Sequence, residues 1–311
     1  MSYIFGPVPS RRLGRSLGVD LVPKKVCTLD CVYCQVGRTT NKTLTRSEYL
    51  PANEIMKELK EYFERGKGPK PDVITFSGSG EPTLNSRIGD LIGRIKRAFP
   101  DIPVAVLTNG TLLWDAQLRR EIKNADIVIP SLDAATEETF RKVNRPHPDL
   151  SLERIIEGLF AFRKIYKGQL WLEVLMVRGL NDSASELKAI KKVLDELKPD
   201  KVQLNTVVRP PQEAWAKPID RNEANMICAL FGPNCEPIAG FERKDFFPRE
   251  INLKQAIVEL TKRRSVTIDD ISEALGINTE QVRDTIKELC DEKAIKKVSF
   301  HGKTFYQYRG G

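Results

Sequence analysis

The stretch from Val26 to Gln35 constrains this chain most, because it places three cysteines within eight residues. Cys27, Cys31 and Cys34 are separated by three and then two residues, and Tyr33 precedes the last of them. Ligands at such short spacing converge over one loop and can bind a metal cluster. Three thiols are one fewer than an iron–sulfur cube or a tetrahedral zinc ion requires. The spacing therefore predicts a metal site whose fourth position is open.

Other candidates for a fourth ligand are scarce. The chain has two histidines, His147 and His301, and its remaining cysteines (Cys228, Cys235 and Cys290) lie far along the sequence. Zinc would need another Cys or His within reach, so it is the weaker alternative. We expect Cys228 and Cys235 to be isolated thiols rather than part of an auxiliary cluster. An iron–sulfur cube with one iron open to a small molecule fits the count better, and an open position is typical of catalysis.

Composition indicates an ordinary globular protein. The 311 residues are 41% hydrophobic and 30% charged, which is typical of folded domains. We see no apolar run of the roughly 18 residues that a membrane span requires, and no secretory signal at the N-terminus. We therefore expect a cytoplasmic protein with no membrane partner, in a reducing and low-oxygen setting, since thiols this close together oxidise readily.

Six strand–helix units follow one another in the first three quarters of the chain. Predicted strands cover 16–23, 72–77, 104–107, 127–132, 170–177 and 202–208, and predicted helices cover 55–63, 88–95, 118–122, 136–143, 152–165, 184–197 and 221–230. This alternation predicts an α/β fold, a partial (β/α)6 TIM-type barrel over residues 1–240. The loops after the strands share one rim of such a barrel, so polar residues at the strand ends would face the cysteine loop.

The pattern changes at residues 241–250, which we predict to be a linker. Within residues 251–311, helical stretches at 253–260, 268–275 and 279–292 precede two strand-like runs, 295–300 and 304–308, which meet in a tight hairpin at His301 and Gly302. Three helices followed by a hairpin are typical of a winged helix-turn-helix domain.

Charge in this C-terminal unit argues against duplex DNA. Residues 279–293, the third helix with the lysine that follows it, contain five acidic and three basic residues, a poor match to a phosphate-lined groove. The hairpin instead alternates basic and aromatic residues, which suits RNA or a single strand. A domain that packs on the barrel, recognises a protein or dimerises is the alternative that we favour.

Cys27-Xaa3-Cys31-Xaa2-Cys34, with its tyrosine, resembles the signature of the radical S-adenosylmethionine (SAM) superfamily. Companion motifs strengthen the resemblance. The stretch 77–82, Ser-Gly-Ser-Gly-Glu-Pro, follows the second strand, where that family has a Gly-Gly-Glu turn; Ser79 replaces the first of those glycines. Further polar motifs fall at the expected strand ends, at 108–110, 131–133 and 178–182. The resemblance covers roughly residues 15–240.

The resemblance implies a role for each matching residue. Cys27, Cys31 and Cys34 would bind three irons of a [4Fe–4S] cluster, and SAM would chelate the fourth. The residues placed against SAM are Tyr33, Ser79, Gly80, Glu81, Thr108, Asn109, Ser131, Asp133, Arg178 and Asn205.

Within that set, Tyr33 and Asn205 would lie beside the adenine, and the turn 79–81 would receive the methionyl ammonium group. Ser131 and the pair 108–109 would contact the carboxylate and ribose. Arg178 would bind the carboxylate through bidentate hydrogen bonds. Taken singly, three of these residues have simpler explanations: Glu81 as a helix N-terminal acid, Asn109 as a turn residue and Arg178 as a surface charge.

The chemistry implied by the resemblance is reductive cleavage of SAM to a 5′-deoxyadenosyl radical, which takes a hydrogen atom from a substrate. A low-potential donor such as ferredoxin or flavodoxin would supply the electron. The segment 6–14 further resembles the branch containing the tRNA wyosine-base synthases. Those enzymes carry three more cysteines upstream, whereas no cysteine precedes Cys27 here. The substrate therefore stays open among RNA, a peptide and a metabolite, with tRNA first. An iron–sulfur regulator that binds nucleic acid is the alternative of another class.

Overall fold

A mostly parallel sheet organises the computed structural model, which describes residues 2–10, 12–64, 70–238 and 253–309. The strands of its N-terminal part are β1 (Ile4–Ser10), β2 (Gly14–Val19), β3 (Val26–Cys27), β4 (Asn41–Lys42), β5 (Val73–Phe76), β6 (Val104–Thr108), β7 (Ile127–Pro130), β8 (Gln169–Met176), β9 (Lys201–Thr206) and β10 (Cys235–Pro237). Eight of them form one sheet in the order β1-β2-β5-β6-β7-β8-β9-β10, and β3 pairs with β4. Every neighbouring pair is parallel except β1 with β2. The predicted α/β class is confirmed.

Helices follow the six central strands, as predicted. They are α1 (Ala52–Glu64), the 3₁₀ turn η1 (Pro82–Leu84), α2 (Ile88–Ala98), α3 (Ala116–Ile122), α4 (Glu137–Asn144), α5 (Leu152–Ile165), α6 (Ala184–Leu197) and α7 (Arg221–Phe231). Helix α2 shows why they form: Ile88, Leu91, Ile92 and Ile95 recur at helical spacing and are all fully buried. The side chain of Ser151 caps α5 by accepting from a backbone N–H.

The first strand, β1, was not predicted. It contains Gly6, Pro7 and Pro9, residues that usually argue against a strand. The structure places it at the edge of the sheet, antiparallel to β2. Proline is tolerated there because a missing backbone N–H costs no ladder hydrogen bond on the open side.

The C-terminal part consists of α8 (Leu253–Arg263), α9 (Ile268–Leu275), α10 (Thr279–Asp291), β11 (Ile295–Phe300) and β12 (Lys303–Tyr308). These are the three helices and the hairpin that the sequence predicts. Ile257, Val282 and Ile295 belong to a buried apolar cluster of its own. His301 and Gly302 both have positive φ, as a tight hairpin turn requires. The predicted linker, 241–250, lies outside the described residues. Among the described helices, none is long and apolar enough to cross a bilayer.

This C-terminal unit packs against the rim of the sheet where the functional loops lie. Leu260 and Ala274 form an apolar cluster with Val8 of β1. Arg263 Nε lies 3.0 Å from Asp20 Oδ2, which follows β2. Phe300 packs against the apolar cluster that contains Val32 of the cysteine loop. The unit therefore contacts both sides of the region that carries the cysteines.

Candidate active site

The cysteine loop is held in place by its neighbours. Cys27 ends β3, and the Cys34 backbone N–H donates to the Cys31 carbonyl at 3.0 Å. The N–H of Val32 donates to the Val143 carbonyl at 2.9 Å, which fastens the loop to the end of α4. Backbone hydrogen bonds, rather than side-chain packing alone, thus fix the loop that presents the thiols.

Two amide side chains reach the sulfur atoms. Asn109 Nδ2 lies 3.5 Å from Cys27 Sγ, and Asn144 Nδ2 lies 3.4 Å from Cys31 Sγ. Burial raises the pKa of Cys27 to about 12 and also raises the pKa values of Cys31 and Cys34. The thiols are therefore neutral without metal, and metal binding must displace their protons. Hydrogen bonds to the sulfurs are a feature that tunes iron–sulfur clusters.

All three cysteines open onto one cavity of about 410 Å³. This volume lies within the range of small-ligand sites. Most of the predicted cofactor contacts lie on the same cavity: Tyr33, Gly80, Glu81, Thr108, Asn109, Ser131 and Asn205. The ends of the four parallel strands β5, β6, β7 and β9 thus converge on the cysteine loop, as the barrel rim requires.

The turn after β5 is locked against the cysteine loop. A Cβ on Gly80 would lie 2.1 Å from the Val26 carbonyl oxygen, so only glycine fits. The Glu81 N–H donates to that carbonyl at 3.0 Å. The Glu81 carboxylate accepts from Thr83, from Thr108 Oγ1 at 2.6 Å and from the Asn109 N–H at 2.7 Å. Glu81 therefore caps η1, as its simpler explanation predicts, and it also lines the cavity.

Tyr33 is oriented by a buried carboxylate. Its hydroxyl donates to Asp133, which also accepts from Asn144 Nδ2 at 2.7 Å and from the Leu175 N–H at 2.9 Å. Burial raises the pKa of Asp133 to about 6. Asp133 is 4% exposed and does not line the cavity. It acts through Tyr33 as a positioning residue.

Besides Asp133, two more of the predicted cofactor contacts do not line the cavity. Arg178 Nε donates to the Pro218 carbonyl at 3.1 Å, and its guanidinium also pairs with Asp220 and Glu223 at the start of α7. It does not line the cavity, so the structure does not bring Arg178 to the site predicted for the SAM carboxylate. Ser79 lies behind the cavity wall, where its N–H donates to Asp20 Oδ1 at 3.0 Å.

Sequence reasoning missed an ion pair inside the cavity. Glu173 Oε2 lies 2.6 Å from Arg12 Nη1, and Glu173 Oε1 accepts from Asn205 Nδ2 at 2.9 Å. All three residues line the cavity. A glutamate in the middle of strand β8, whose other residues after Gln169 are apolar, is a signal of this site, because central parallel strands are usually apolar on both faces.

The expectation for the remaining thiols was also wrong. Cys228 of α7 and Cys235 of β10 are not isolated, because their Sγ atoms lie 2.7 Å apart. Within the described ranges, no three His, Cys, Asp or Glu side chains form a site for a single metal ion.

The comparisons with known proteins identify the family. The model of the Radical SAM superfamily matches residues 21–193. The chain belongs to the radical SAM superfamily. Members of this superfamily are enzymes that use a [4Fe–4S] cluster and SAM, so these are the cofactors of this protein. Such enzymes also need an electron donor. Family membership favours an enzyme over an iron–sulfur regulator.

Relatives cover nearly the whole chain. A UPF0026 protein of Methanocaldococcus jannaschii is 38% identical over 98% of this chain and 96% of its own length. A protein named GTPase Obg of Brachyspira hyodysenteriae is 35% identical over 97% of this chain but only 45% of its own length. Among solved structures, a radical SAM methyltransferase from Sphaerobacter thermophilus is 18% identical over 71% of this chain and 65% of its own, with a TM-score of 0.50, which shows the shared fold.

The residues of the cavity fit these cofactors. Three thiols line the cavity and amide donors reach two of the sulfurs, which suits a cluster bound through three cysteines. Hydroxyl, amide and carboxylate groups line the remainder, which suits an amino acid joined to a nucleoside.

Proposed function

We propose that Cys27, Cys31 and Cys34 bind three irons of the [4Fe–4S] cluster and that the adjoining cavity binds SAM. The enzyme then abstracts a hydrogen atom from its substrate. The observation that carries this proposal is the opening of all three thiols onto the cavity that Tyr33 and Glu81 also line.

Each part of the cavity has a task in this proposal. When bound and reduced by a donor such as ferredoxin or flavodoxin, the cofactors supply a 5′-deoxyadenosyl radical. Tyr33, oriented by Asp133, offers a ring face beside the adenine. Glu81 offers a carboxylate to the methionyl ammonium group. Ser131 and Asn205 offer hydroxyl and amide partners to the ribose and adenine.

The C-terminal unit has a task as well. Arg263 and Arg264 of this unit line the same cavity as the cysteines. A wall at the open rim of the sheet excludes water and oxygen from a reactive radical. We therefore assign the unit to the active site, with residues 1–240 as the radical SAM core and 251–311 as a winged helix-turn-helix domain.

The substrate predicted first from the sequence was tRNA, and it stays a prediction. Lys296, Lys297 and Lys303 of the hairpin are exposed, as an RNA contact requires. Phe300 of the same hairpin, however, packs against the core rather than facing solvent as a stacking platform would.

The test of the proposed function is formation of 5′-deoxyadenosine. The protein is reconstituted anaerobically with iron and sulfide, reduced with dithionite and incubated with SAM. We expect 5′-deoxyadenosine and methionine in equal amounts, measured by chromatography and mass spectrometry. If a protein that holds a full cluster forms neither product, the proposal fails.

A further inference from the structure

Away from the cysteines, the lining of the cavity is rich in arginine. Four guanidinium groups line it, those of Arg12 and Arg209 from the core and those of Arg263 and Arg264 from the C-terminal unit. The carboxylates on the same lining are those of Glu81 and Glu173. Cations thus outnumber anions on the wall between the two parts of the protein.

Internal partners account for two of these cations. Glu173 binds Arg12 at 2.6 Å. Arg263 is bound by Asp20 and by Glu259, each at 3.0 Å. These two guanidiniums are therefore held as part of the wall and have acceptors of their own.

Arg209 is different. It follows β9 and is only 9% exposed, yet its one charged neighbour in the described structure is Asp270 of α9, whose Oδ1 lies 3.6 Å from Arg209 Nη2. That separation is too long for a hydrogen bond. Asp270 already accepts from the Thr267 N–H at 3.0 Å, as part of the capping box of α9.

A second observation concerns the Nε atom of Arg209. It is fully buried, and no residue in the described part of the chain accepts its hydrogen bond. A buried charged donor without an acceptor is unfavourable and calls for an occupant. The planar guanidinium is suited to a carboxylate or a phosphate, which it binds through two parallel hydrogen bonds.

We propose that Arg209 binds an anionic group, a carboxylate or a phosphate, of a small substrate held between the core and the C-terminal unit. This proposal rests on the proposed function and adds the class of substrate. A small molecule fits better than a folded RNA, because the cavity measures about 410 Å³ and the C-terminal unit forms one of its walls.

The experiment uses reconstituted enzyme saturated with SAM and two probes, inorganic phosphate and acetate, titrated against chloride at constant ionic strength. We expect wild type to bind one of them, and Arg209→Gln to bind it about tenfold more weakly or worse. Arg209→Lys keeps the charge but lacks the planar guanidinium, so its affinity for the probe should lie between those of wild type and Arg209→Gln. It replaces Arg209→Gln in the comparison if that variant misfolds. Arg221→Gln removes an exposed arginine and should match wild type.

Three outcomes would overturn the proposal. The first is equal probe affinity in wild type and both Arg209 variants, or no binding in wild type. The second is weaker SAM binding in Arg209→Gln with probe binding intact, which would assign Arg209 to the cofactor carboxylate. Total tRNA is titrated against the same proteins as a further probe, and the third outcome is tRNA binding that weakens in Arg209→Gln while phosphate and acetate binding stay unchanged. If wild type forms no 5′-deoxyadenosine, the proposed function fails instead.

A separate observation supports a second proposal. Cys235 Sγ donates to Cys228 Sγ at 2.7 Å, and the turn after α7, where Gly232 has φ of +118°, brings the two together. Cys228 is buried, whereas Cys235 is partly exposed. Neither thiol lines the cavity.

We infer that Cys228 and Cys235 are a dithiol that a small disulfide, such as oxidised glutathione, converts reversibly to a disulfide. Cys235 first forms a mixed disulfide and releases one glutathione thiol. The Cys228 thiolate then attacks Cys235 Sγ and expels the second glutathione thiol. The pair loses two electrons and two protons, and the small disulfide is reduced to two thiols.

Anaerobic treatment of the reconstituted enzyme with oxidised glutathione, followed by alkylation and peptide mass spectrometry, tests this inference. We expect a linked pair of peptides containing Cys228 and Cys235, reversible by dithiothreitol. Cys290, a partly exposed single thiol, should form no internal link. Continued alkylation of both thiols, or links that join either one to another cysteine, would overturn it.

Discussion

Replacement of Cys31 by alanine is expected to abolish the cluster and with it the formation of 5′-deoxyadenosine. Two remaining thiols are too few to bind the cluster at three irons, and Asn144 Nδ2 loses the sulfur 3.4 Å away. Because loss of even an outer-shell partner weakens metal binding by about 10–100-fold, loss of a ligand should exceed about 100-fold. Iron and sulfide per protein after anaerobic reconstitution measure the effect.

Cys290→Ala is the matched control for this loss. Cys290 lies on α10, partly exposed, and does not line the cavity. This variant should bind the same iron and sulfide as wild type. A full cluster in Cys31→Ala, or an equal loss of iron and sulfide in both variants, would show that the cysteine loop does not bind the cluster as proposed.

Removal of the Asp20 carboxylate is expected to cause the second large effect. Asp20 Oδ2 accepts from Arg263 Nε at 3.0 Å, and Asp20 Oδ1 accepts from the Ser79 N–H at 3.0 Å. Burial raises the pKa of Asp20, although Arg263 opposes this shift, so the ion pair itself adds little to stability. Leaving Arg263 buried without this partner should nevertheless lower the free energy of unfolding of Asp20→Ala by about 3 kcal/mol.

Urea denaturation of reconstituted protein measures this change, and two further variants are compared with Asp20→Ala. Asp20→Ala combined with Arg263→Met should regain much of the stability, because no buried charge is left unpaired. Glu138→Ala, which removes an exposed ion pair with Lys142, should stay within about 0.5 kcal/mol of wild type. If the free energy of unfolding of Asp20→Ala also stays within about 0.5 kcal/mol of wild type, the Asp20–Arg263 pair does not have the role assigned to it.

Binding of SAM distinguishes the two contacts of Asp20. Both Asp20 variants leave the Ser79 N–H without its acceptor, next to the Gly80–Glu81 turn that lines the cavity. SAM affinity should therefore fall in both, even where stability returns. Recovery of SAM affinity in the double variant would assign the effect to Arg263 alone.

Local patterns explain why so much of the fold was predictable. The helices 152–165 and 184–197 begin and end at the residues that their periodicity predicts, and a serine side chain caps the start of each. The strand β1 was missed because its prolines are acceptable only at a sheet edge, and edge position is a tertiary property. The cysteine loop was recognised because its ligands lie within eight residues.

Contacts between distant residues explain the failures. Arg178 was assigned to the cofactor, but acids at 220 and 223, some forty residues away, hold it. Packing of the C-terminal unit on the barrel was among the favoured alternatives, but no spacing rule joins Asp20 to Arg263, which are 243 residues apart, so this ion pair was not predictable. The pairing of Cys228 with Cys235 depends on the turn at Gly232, which a count of cysteines does not show.

The most direct test of radical SAM chemistry at the cysteine loop is 5′-deoxyadenosine formation by wild type and Cys31→Ala, reduced side by side with dithionite in the presence of SAM. Wild type should form 5′-deoxyadenosine and methionine in equal amounts, and the variant should form neither above background. Equal product from both proteins, or none from wild type with its cluster intact, would contradict the assignment of this chemistry to the loop.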